Sequence, residues 1–428
     1  MKWDPKFRYA KKGADMKELG RAFNHRWWIG LCLFGIVTVA LNAGAQLSTN
    51  AVYLNANIGT VSNANEVLGY ANDGQGNLTL LPGSPYLTAG TGSAPAQGMP
   101  LGLQTDDDQQ VIINKAGTLL LTVNGFSNTV AVFTINSDAS LTPITGSPYT
   151  SGGPQPASLG LFDGILGNGV SFLVVVNKES DPNQINPKQP NFQTFTMASN
   201  GTLTHNVGSQ VTLSFGASPS QAATDQHHLV FGMQFAGGAT GVPSQIYSYR
   251  IRSNGTLKLN STVQTPTGNV FLGEVVHPTQ NILYAALPAD NQIAVYQYSV
   301  PAGILTYQTS VTNPGSLTCW LAINAAGTRL YSGESASNSI TVYDLTNPLL
   351  PVQLQHLTLT PTTPNSDVTN MRFDPTGNFL YAISNSSTSS SLHVMNVASD
   401  GTMTETLTPL TLPVPSGNYP IGLATLMK

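Results

Sequence analysis

The sequence predicts an all-β protein, a seven-bladed β-propeller with four-stranded blades. Short apolar runs recur seven times along the 428 residues, at spacings of roughly 47 to 56 residues after one longer first unit. Turns rich in glycine, asparagine and aspartate bound these runs, and charged residues make up only 9% of the chain. Short strands and tight turns at this period are typical of propeller blades.

One copy of the repeat shows the order of strands within a blade. A turn at residues 374–378 precedes an apolar run at residues 379–383, which reads as the second strand. Residues 391–397 alternate between apolar and polar and predict a third strand with two different faces. An Asp-Gly turn at residues 398–402 then leads into an outer fourth strand, since this dipeptide accepts the positive φ of tight hairpins.

The innermost strands follow proline- and glycine-rich connections. We predict seven of them: Met99–Gln104, Pro156–Leu161, Ser218–Thr224, Phe271–Val276, Leu317–Ile323, Asp367–Phe373 and Pro420–Ala424. The second strand at Ala51–Asn55 has no inner strand before it, and the inner strand at Pro420–Ala424 has no blade after it. Ring closure, in which the C-terminal strand becomes the inner strand of the first blade, pairs these two unmatched strands. It also removes the exposed sheet edges. An open β-solenoid is the alternative.

We predict that residues 1–45 are an export signal or an N-terminal membrane anchor, and that residues 46–428 form the propeller. Eight lysines and arginines precede an apolar run from Trp27 to Ala40, and Ala43-Gly44-Ala45 resembles a cleavage site before Gln46. An uncleaved anchor from Trp27 to about Ala45 has roughly the minimum length for crossing a bilayer. Both alternatives place the propeller outside the cytoplasm, in the periplasm or beyond the cell.

Composition limits the possible partners of the propeller. From Gln46 onward, nine Lys and Arg against eighteen Asp and Glu give a formal charge of −9, so no nucleic-acid partner is expected. No cofactor or metal motif stands out, and we expect none. The acidic run 106–108 lacks the alternating ligands of a calcium loop and predicts a solvated turn.

The repeat resembles the seven-bladed propellers of the lactonase family, which includes 6-phosphogluconolactonases, and the related repeats named for the motif Tyr-Val-Thr-Asn. The resemblance covers residues 50 to 428. It rests on the order of strands and turns, on the stretch 374–381, and on the Gly-Ser-Pro-Tyr segments at 83–86 and 146–149. It implies a central channel lined by histidine, arginine and glutamate that opens lactones.

The resemblance also implies where catalytic residues should lie, and only one is present. Glu274, in Gly273-Glu274-Val275, matches the glutamate of an inner strand, which makes it the candidate catalytic residue. The stretches at 158–163, 219–221, 285–287 and 317–319 lack the expected histidine and arginines. We therefore expect a channel that keeps one carboxylate without a cation for the oxyanion.

The polar ends of three second strands are candidate binding residues. Asn55, Asn124 and Asn177 are expected to cap turns near the channel mouth or to bind sugar-like polyols. Together these features favour an exported lactonase-like propeller that binds an unidentified protein or glycan at one face, and contacts a membrane only through an uncleaved leader. The alternative is a hydrolase that opens a neutral or sugar-derived lactone through Glu274.

Overall fold

The computed structural model describes residues 50–93, 107–164, 170–178, 188–235, 241–361 and 366–427. These ranges form seven antiparallel sheets of four or five strands, and their only helical element is a short 3-10 turn at Pro288–Asp290. The predicted seven-bladed propeller is therefore confirmed. No helix in these ranges is long and apolar enough to cross a bilayer. The predicted leader, residues 1–45, lies outside the described residues.

The first three blades have an outer strand that is broken into two pieces. The strands of these blades are β1 (Asn50–Asn55), β2 (Glu66–Asn72), β3 (Leu78–Leu80) and β4 (Tyr86–Leu87); β5 (Val111–Ile113), β6 (Leu119–Asn124), β7 (Thr129–Ile135), β8 (Leu141–Pro143) and β9 (Tyr149–Thr150); β10 (Pro156–Phe162), β11 (Ser171–Asn177), β12 (Asn191–Met197), β13 (Leu203–His205) and β14 (Val211–Thr212). In each blade both outer pieces pair with the same third strand.

Blades 4 to 6 have continuous outer strands, and blade 7 has a broken one. Their strands are β15 (Pro219–Thr224), β16 (Leu229–Gln234), β17 (Gln245–Ile251) and β18 (Leu257–Gln264); β19 (Glu274–Val276), β20 (Ile282–Leu287), β21 (Gln292–Tyr298) and β22 (Leu305–Thr312); β23 (Thr318–Ile323), β24 (Arg329–Glu334), β25 (Ser339–Asp344) and β26 (Val352–Thr358); β27 (Asp367–Phe373), β28 (Phe379–Asn385), β29 (Ser390–Val397), β30 (Met403–Thr404) and β31 (Leu410–Thr411). The last strand, β32 (Ile421–Met427), follows blade 7.

The ring closes as the sequence predicted. Strand β32 pairs antiparallel with β1, and Tyr53 lies opposite Ala424, so the C-terminal strand is the inner strand of blade 1. The seven inner strands contact one another in order around the axis, and β32 contacts both β27 and β5. The sheet edge at β1 is therefore covered.

The inner strand of blade 2 differs from its predicted position. The structure pairs β6 with Val111–Ile113, which lies after the predicted segment Met99–Gln104. A tight turn joins the two strands, and in it the Asn114 side chain accepts hydrogen bonds from the backbone N–H groups of Thr118 and Leu119. Residues 99–104 themselves lie outside the described residues. The inner strand of blade 5 is also shorter than predicted, Glu274–Val276.

The core lies between neighbouring blades. Alternate residues of β24 face opposite directions: Leu330 packs with Tyr343 and residues of blade 5, while Tyr331 packs with Leu380 of blade 7. This is the predicted two-residue period of a strand that is covered on both faces. Each blade thus contributes two apolar faces and exposes few of its backbone groups.

Candidate functional site

Glu274 lies at the start of β19, where the inner strand of blade 5 enters the central channel. Its side chain is only 1% exposed. The backbone N–H of Glu274 donates to Gln221 Oε1 at 2.8 Å, and Gln221 Nε2 donates to the Glu274 carbonyl at 2.9 Å. This pair of hydrogen bonds fixes the strand against blade 4.

The Glu274 carboxyl is poorly satisfied. Its Oε1 accepts a long hydrogen bond of 3.4 Å from the Ala223 N–H, and its Oε2 has no partner within the described residues. Burial raises the pKa of this carboxyl well above its usual value, the negative charge of Asp108 raises it further, and the Ala223 N–H opposes the rise. A carboxyl whose pKa is raised holds its proton to a higher pH than a free glutamate does, which favours proton donation.

A short segment, Asp107–Gln110, crosses the channel. The Asp108 N–H donates to the Ser220 carbonyl in blade 4 at 3.2 Å, and Asn370 Nδ2 of blade 7 donates to Asp108 Oδ1 at 3.0 Å. Gln221 Nε2 also donates to Gln109 Oε1 at 3.3 Å. The segment therefore joins blades that are not neighbours in the ring.

The acidic run was predicted to be a solvated turn, and this prediction is wrong for two of its residues. Asp107 is 2% exposed and Asp108 is 8% exposed, and Asp108 lines the same cavity as Glu274. Burial raises the pKa of the Asp108 carboxyl, although the positive charge of Arg372 and hydrogen bonds to the carboxyl oppose this effect. Asp106 lies outside the described residues.

An arginine is present beside the two acids. Arg372, Asp108, Glu274 and Gln221 line one cavity of about 150 Å³. The expectation that the channel has lost its guanidinium is therefore wrong. The sequence held a signal for this residue, since the propeller has only four arginines and Arg372 alone falls in a predicted inner strand, Asp367–Phe373.

The three candidate binding asparagines lie elsewhere and are fully buried. The Asn55 amide donates to Thr122 Oγ1 and to the Val123 carbonyl, which ties blade 1 to blade 2. Asn124 accepts from Thr88 and Asn65 in the same connection. In this conformation the amides of both residues are engaged within the protein, as turn capping requires, and polyol binding by them stays a prediction.

Asn177 is also buried. Its Nδ2 donates to the Ser151 carbonyl at 3.1 Å and to Asn191 Oδ1 at 2.9 Å. Its Oδ1 has no partner within the described residues. The side chain is 0% exposed in this conformation, and its role in binding stays a prediction.

The described residues contain no group of three or more His, Cys, Asp or Glu side chains arranged to hold a metal ion. His277 has a structural contact set: its Nδ1 accepts hydrogen bonds from the N–H groups of Thr279 and Gln280, and its Nε2 lies 3.0 Å from the Gly327 carbonyl. The imidazole therefore accepts backbone hydrogen bonds in its turn as the Asp374 carboxyl does in the corresponding turn of blade 7.

Comparison with known proteins gives the class of the chain. The family model described as "Lactonase, 7-bladed beta-propeller" matches residues 233–382. No curated protein sequence matches. With the observed fold, this match confirms the predicted resemblance: the chain is a seven-bladed propeller similar to the lactonase family.

Solved structures share the fold at low sequence identity. A putative 6-phosphogluconolactonase from Bacteroides uniformis is 11% identical, with a TM-score of 0.65 over 88% of this chain and 99% of that chain. A putative 6-phosphogluconolactonase from Bacteroides fragilis is 13% identical, with a TM-score of 0.63 over 89% and 98%. The periplasmic gluconolactonase PpgL from Pseudomonas aeruginosa is 14% identical, with a TM-score of 0.63 over 87% and 99%. At these identities the likeness concerns the fold alone.

Proposed function

We propose that this chain is an exported lactonase-like propeller that binds a glycan or protein at one face and has a degenerate catalytic channel. The burial of Glu274 behind the segment Asp107–Gln110 carries this proposal. The cavity around this acid holds about 150 Å³, whereas ligand pockets typically have roughly 300–1,000 Å³. A lactone and its attacking water do not fit there unless the crossing segment moves.

A groove on the face with the turns between first and second strands is a better place for a ligand. It lies between blades 6 and 7, has a volume of about 390 Å³, and is lined by Phe373, Asn378 and Ser399 among others. Arg329 in its wall is already bonded to Asp344 Oδ2 at 2.7 Å and to the Asp400 carbonyl at 2.6 Å. With its cation paired, the groove offers amides, hydroxyls and an aromatic edge, which suits a neutral glycan.

Binding to a glycan array tests this proposal directly. The wild-type protein should retain a neutral glycan at micromolar concentration, and Asn378→Ala with Ser399→Ala should weaken that binding. Asn254→Ala, in an exposed turn of blade 4, is the matched control. If neither the array nor capture from an envelope fraction yields a ligand or partner, the binding role is wrong.

Lactone hydrolysis is the second candidate function, and the presence of Arg372 in the Glu274 cavity favours it. A guanidinium can stabilise the developing oxyanion, while Glu274 can give its proton to the ring oxygen as the acyl C–O bond breaks and regain one from the water that adds to the carbonyl carbon. Incubation of the purified protein with neutral lactones should then show turnover that Glu274→Gln removes. Equal rates in both proteins would exclude Glu274 from the reaction.

Export is the remaining part of the proposal. A basic segment, an apolar run and small residues before Gln46 support it, and one structural relative is described as periplasmic. N-terminal sequencing of the protein from cells should give Gln46 as the first residue. A first residue of Met1 in an envelope fraction would instead indicate an anchor.

A further inference from the structure

Positive charge on the propeller is concentrated at the outer edge of blade 4. Arg250 and Lys258 lie directly opposite each other on β17 and β18, and Arg252 follows one residue after the end of β17. Like charges in this cross-strand position destabilise a sheet when nothing neutralises them. None of the three takes part in an ion pair found within the described residues. This edge therefore has an excess of positive charge.

The acids of blades 4 and 5 lie away from this edge. Residues 219–312 contain three of them, Asp225, Glu274 and Asp290. Asp225 is buried, and its Oδ1 accepts from two backbone N–H groups of its own turn. Glu274 is buried at the channel. Asp290 precedes β21, whereas the edge of blade 4 is next to the other end of that strand. The cations therefore have no carboxylate from their own or the following blade.

An exposed apolar hairpin of blade 5 lies beside the cations. It joins β21 to β22 through residues 299–304, and in it Val300 is 39% exposed and Ile304 is 53% exposed. The Arg250 Nη1 donates to the Pro301 carbonyl in this hairpin at 3.2 Å. This hydrogen bond holds the apolar side chains next to the cationic edge.

The corresponding hairpins on the opposite side of the ring are acidic. The connections between third and fourth strands of all blades lie at one face of the propeller. In blades 6, 7, 1 and 2, which are consecutive in the closed ring, these connections contain or adjoin Asp344, Asp400, Asp73 and Asp138. Charge at this face is thus divided, with acids on one side of the ring and cations on the other. Such a division orients a protein toward an oppositely charged surface.

We propose that the edge formed by Arg250, Arg252, Lys258, Val300 and Ile304 docks on the surface of a membrane that contains anionic lipids. Lipid phosphates neutralise the cations, and the apolar side chains enter the boundary between headgroups and acyl chains; both contributions strengthen peripheral membrane binding. The exposed apolar side chains favour a bilayer over a soluble polyanion, which offers them no apolar environment.

This contact belongs to the propeller itself and goes beyond the leader-only membrane contact that we expected from the sequence. It is also separate from the glycan groove between blades 6 and 7. The propeller would therefore lie with blades 4 and 5 against the lipid, and with the acidic hairpins of blades 7 and 1 directed away from it.

Hydrogen exchange of the full chain in the presence of vesicles tests the proposal. Vesicles of equimolar phosphatidylcholine and phosphatidylglycerol should slow exchange at residues 252–258 and 299–305, but not at the acidic hairpins 73–77 and 398–402. Phosphatidylcholine alone should have no such effect, and added salt should reverse it, because salt screens exposed charges. The measurement is local, so vesicle binding through the leader does not by itself produce this result.

Variants separate the two contributions. Arg252→Gln combined with Lys258→Gln should raise the lipid concentration for half-maximal protection by about tenfold or more. Lys115→Gln, which removes an exposed cation of blade 2, is the matched control and should have no effect. Val300→Ser should also weaken protection, by about twofold or more. Val207→Ser, which changes a 92% exposed valine of blade 3, should not.

The proposal is overturned if anionic vesicles leave both hairpins unprotected, or if neutral vesicles protect them equally. It is also overturned if the double variant is protected at the same lipid concentration as the wild type. Both substituted cations are exposed, so this variant should fold. Protection by soluble polyglutamate and not by vesicles would identify a soluble acidic partner instead. Failure of glycan binding alone would leave these outcomes unaffected.

Discussion

Equivalent residues at the ends of the second strands show how one position is used differently around the ring. Five blades have an amide there, namely Asn55, Asn124, Asn177, Gln234 and Asn385, while blade 5 has Leu287 and blade 6 has Glu334. The Glu334 carboxyl accepts from Ser332 at 2.5 Å, Asn313 at 2.8 Å and Ser339 at 2.8 Å. Burial still raises its pKa to about 7.

The stability of the protein should depend on the protonation of Glu334. Between about pH 4.5 and 7, the folded state keeps a proton that the unfolded state releases, so the free energy of unfolding falls as pH rises. The full change is at most about 3 kcal/mol. Glu334→Gln should remove this slope and be more stable than the wild type at pH 8, as urea unfolding at several pH values will show.

The reciprocal change Gln234→Glu is a suitable control, because it places an acid at the same position of blade 4, where the side chain is 1% exposed. It should add a pH dependence of the same sign. An unchanged slope in Glu334→Gln would assign the pH dependence to another group.

The site could be predicted from the sequence only in part, and the reason lies in single residues. Glu274 was found because its neighbours match a known pattern. Asp108 and Arg372 were not predicted, because they approach Glu274 from blades 2 and 7. Contacts between distant blades across the axis of a ring leave no regular spacing in the sequence. Asn55 and Asn124 were correctly placed at strand ends, but burial, which decides whether they can bind, depends on the loops that cover them.

At the scale of elements, the turns between first and second strands share one design. In blade 7 the Asp374 carboxyl accepts from the N–H groups of Thr376 at 3.2 Å and Phe379 at 2.9 Å. In blade 6 Asn324 accepts from the N–H groups of Thr328 and Arg329 in the same way. The acceptor closes the turn and sets the register of the following strand.

Removing such an acceptor should destabilise the protein. Asp374 is 3% exposed and accepts from the buried Phe379 N–H, so Asp374→Ala leaves that donor without a partner and should lower the free energy of unfolding by about 1–3 kcal/mol. Urea unfolding measures this loss. Asp400→Ala, in an exposed turn of the same blade, should have no measurable effect, and a comparable loss there would contradict the role of burial.

Most strands were predictable because each carries its own signal, an apolar run between turns. The inner strand of blade 2 was not, because only three residues, Val111–Ile113, pair with β6 there, which is too short a run to show a strand pattern. Short inner strands in general show a weak apolar pattern in the sequence, because contacts with neighbouring blades, and not their own residues alone, fix their positions.

At the scale of the whole molecule, ring closure should be essential for a stable fold. Deleting residues 420–428 removes β32, exposes the edge of β1 and uncovers the apolar surface that Leu423 and Leu426 bury. The shortened protein should aggregate or lose its cooperative thermal transition, which size-exclusion chromatography and circular dichroism will show.

Met427→Ser is the control for this deletion, because Met427 lies in the same strand but is 51% exposed. It should remain monodisperse and melt like the wild type. A shortened protein that keeps the wild-type transition would mean that β32 contributes little to closure.

The segment Asp107–Gln110 has a consequence for how the propeller unfolds. In a repeat protein whose units contact only their neighbours, terminal units can detach one at a time. Here hydrogen bonds made by Asp108 connect blade 2 directly with blades 4 and 7, which are not its neighbours in the ring. Loosening any one of these three blades therefore weakens the other two, and hydrogen exchange should report one shared opening event for sheets on opposite sides of the ring.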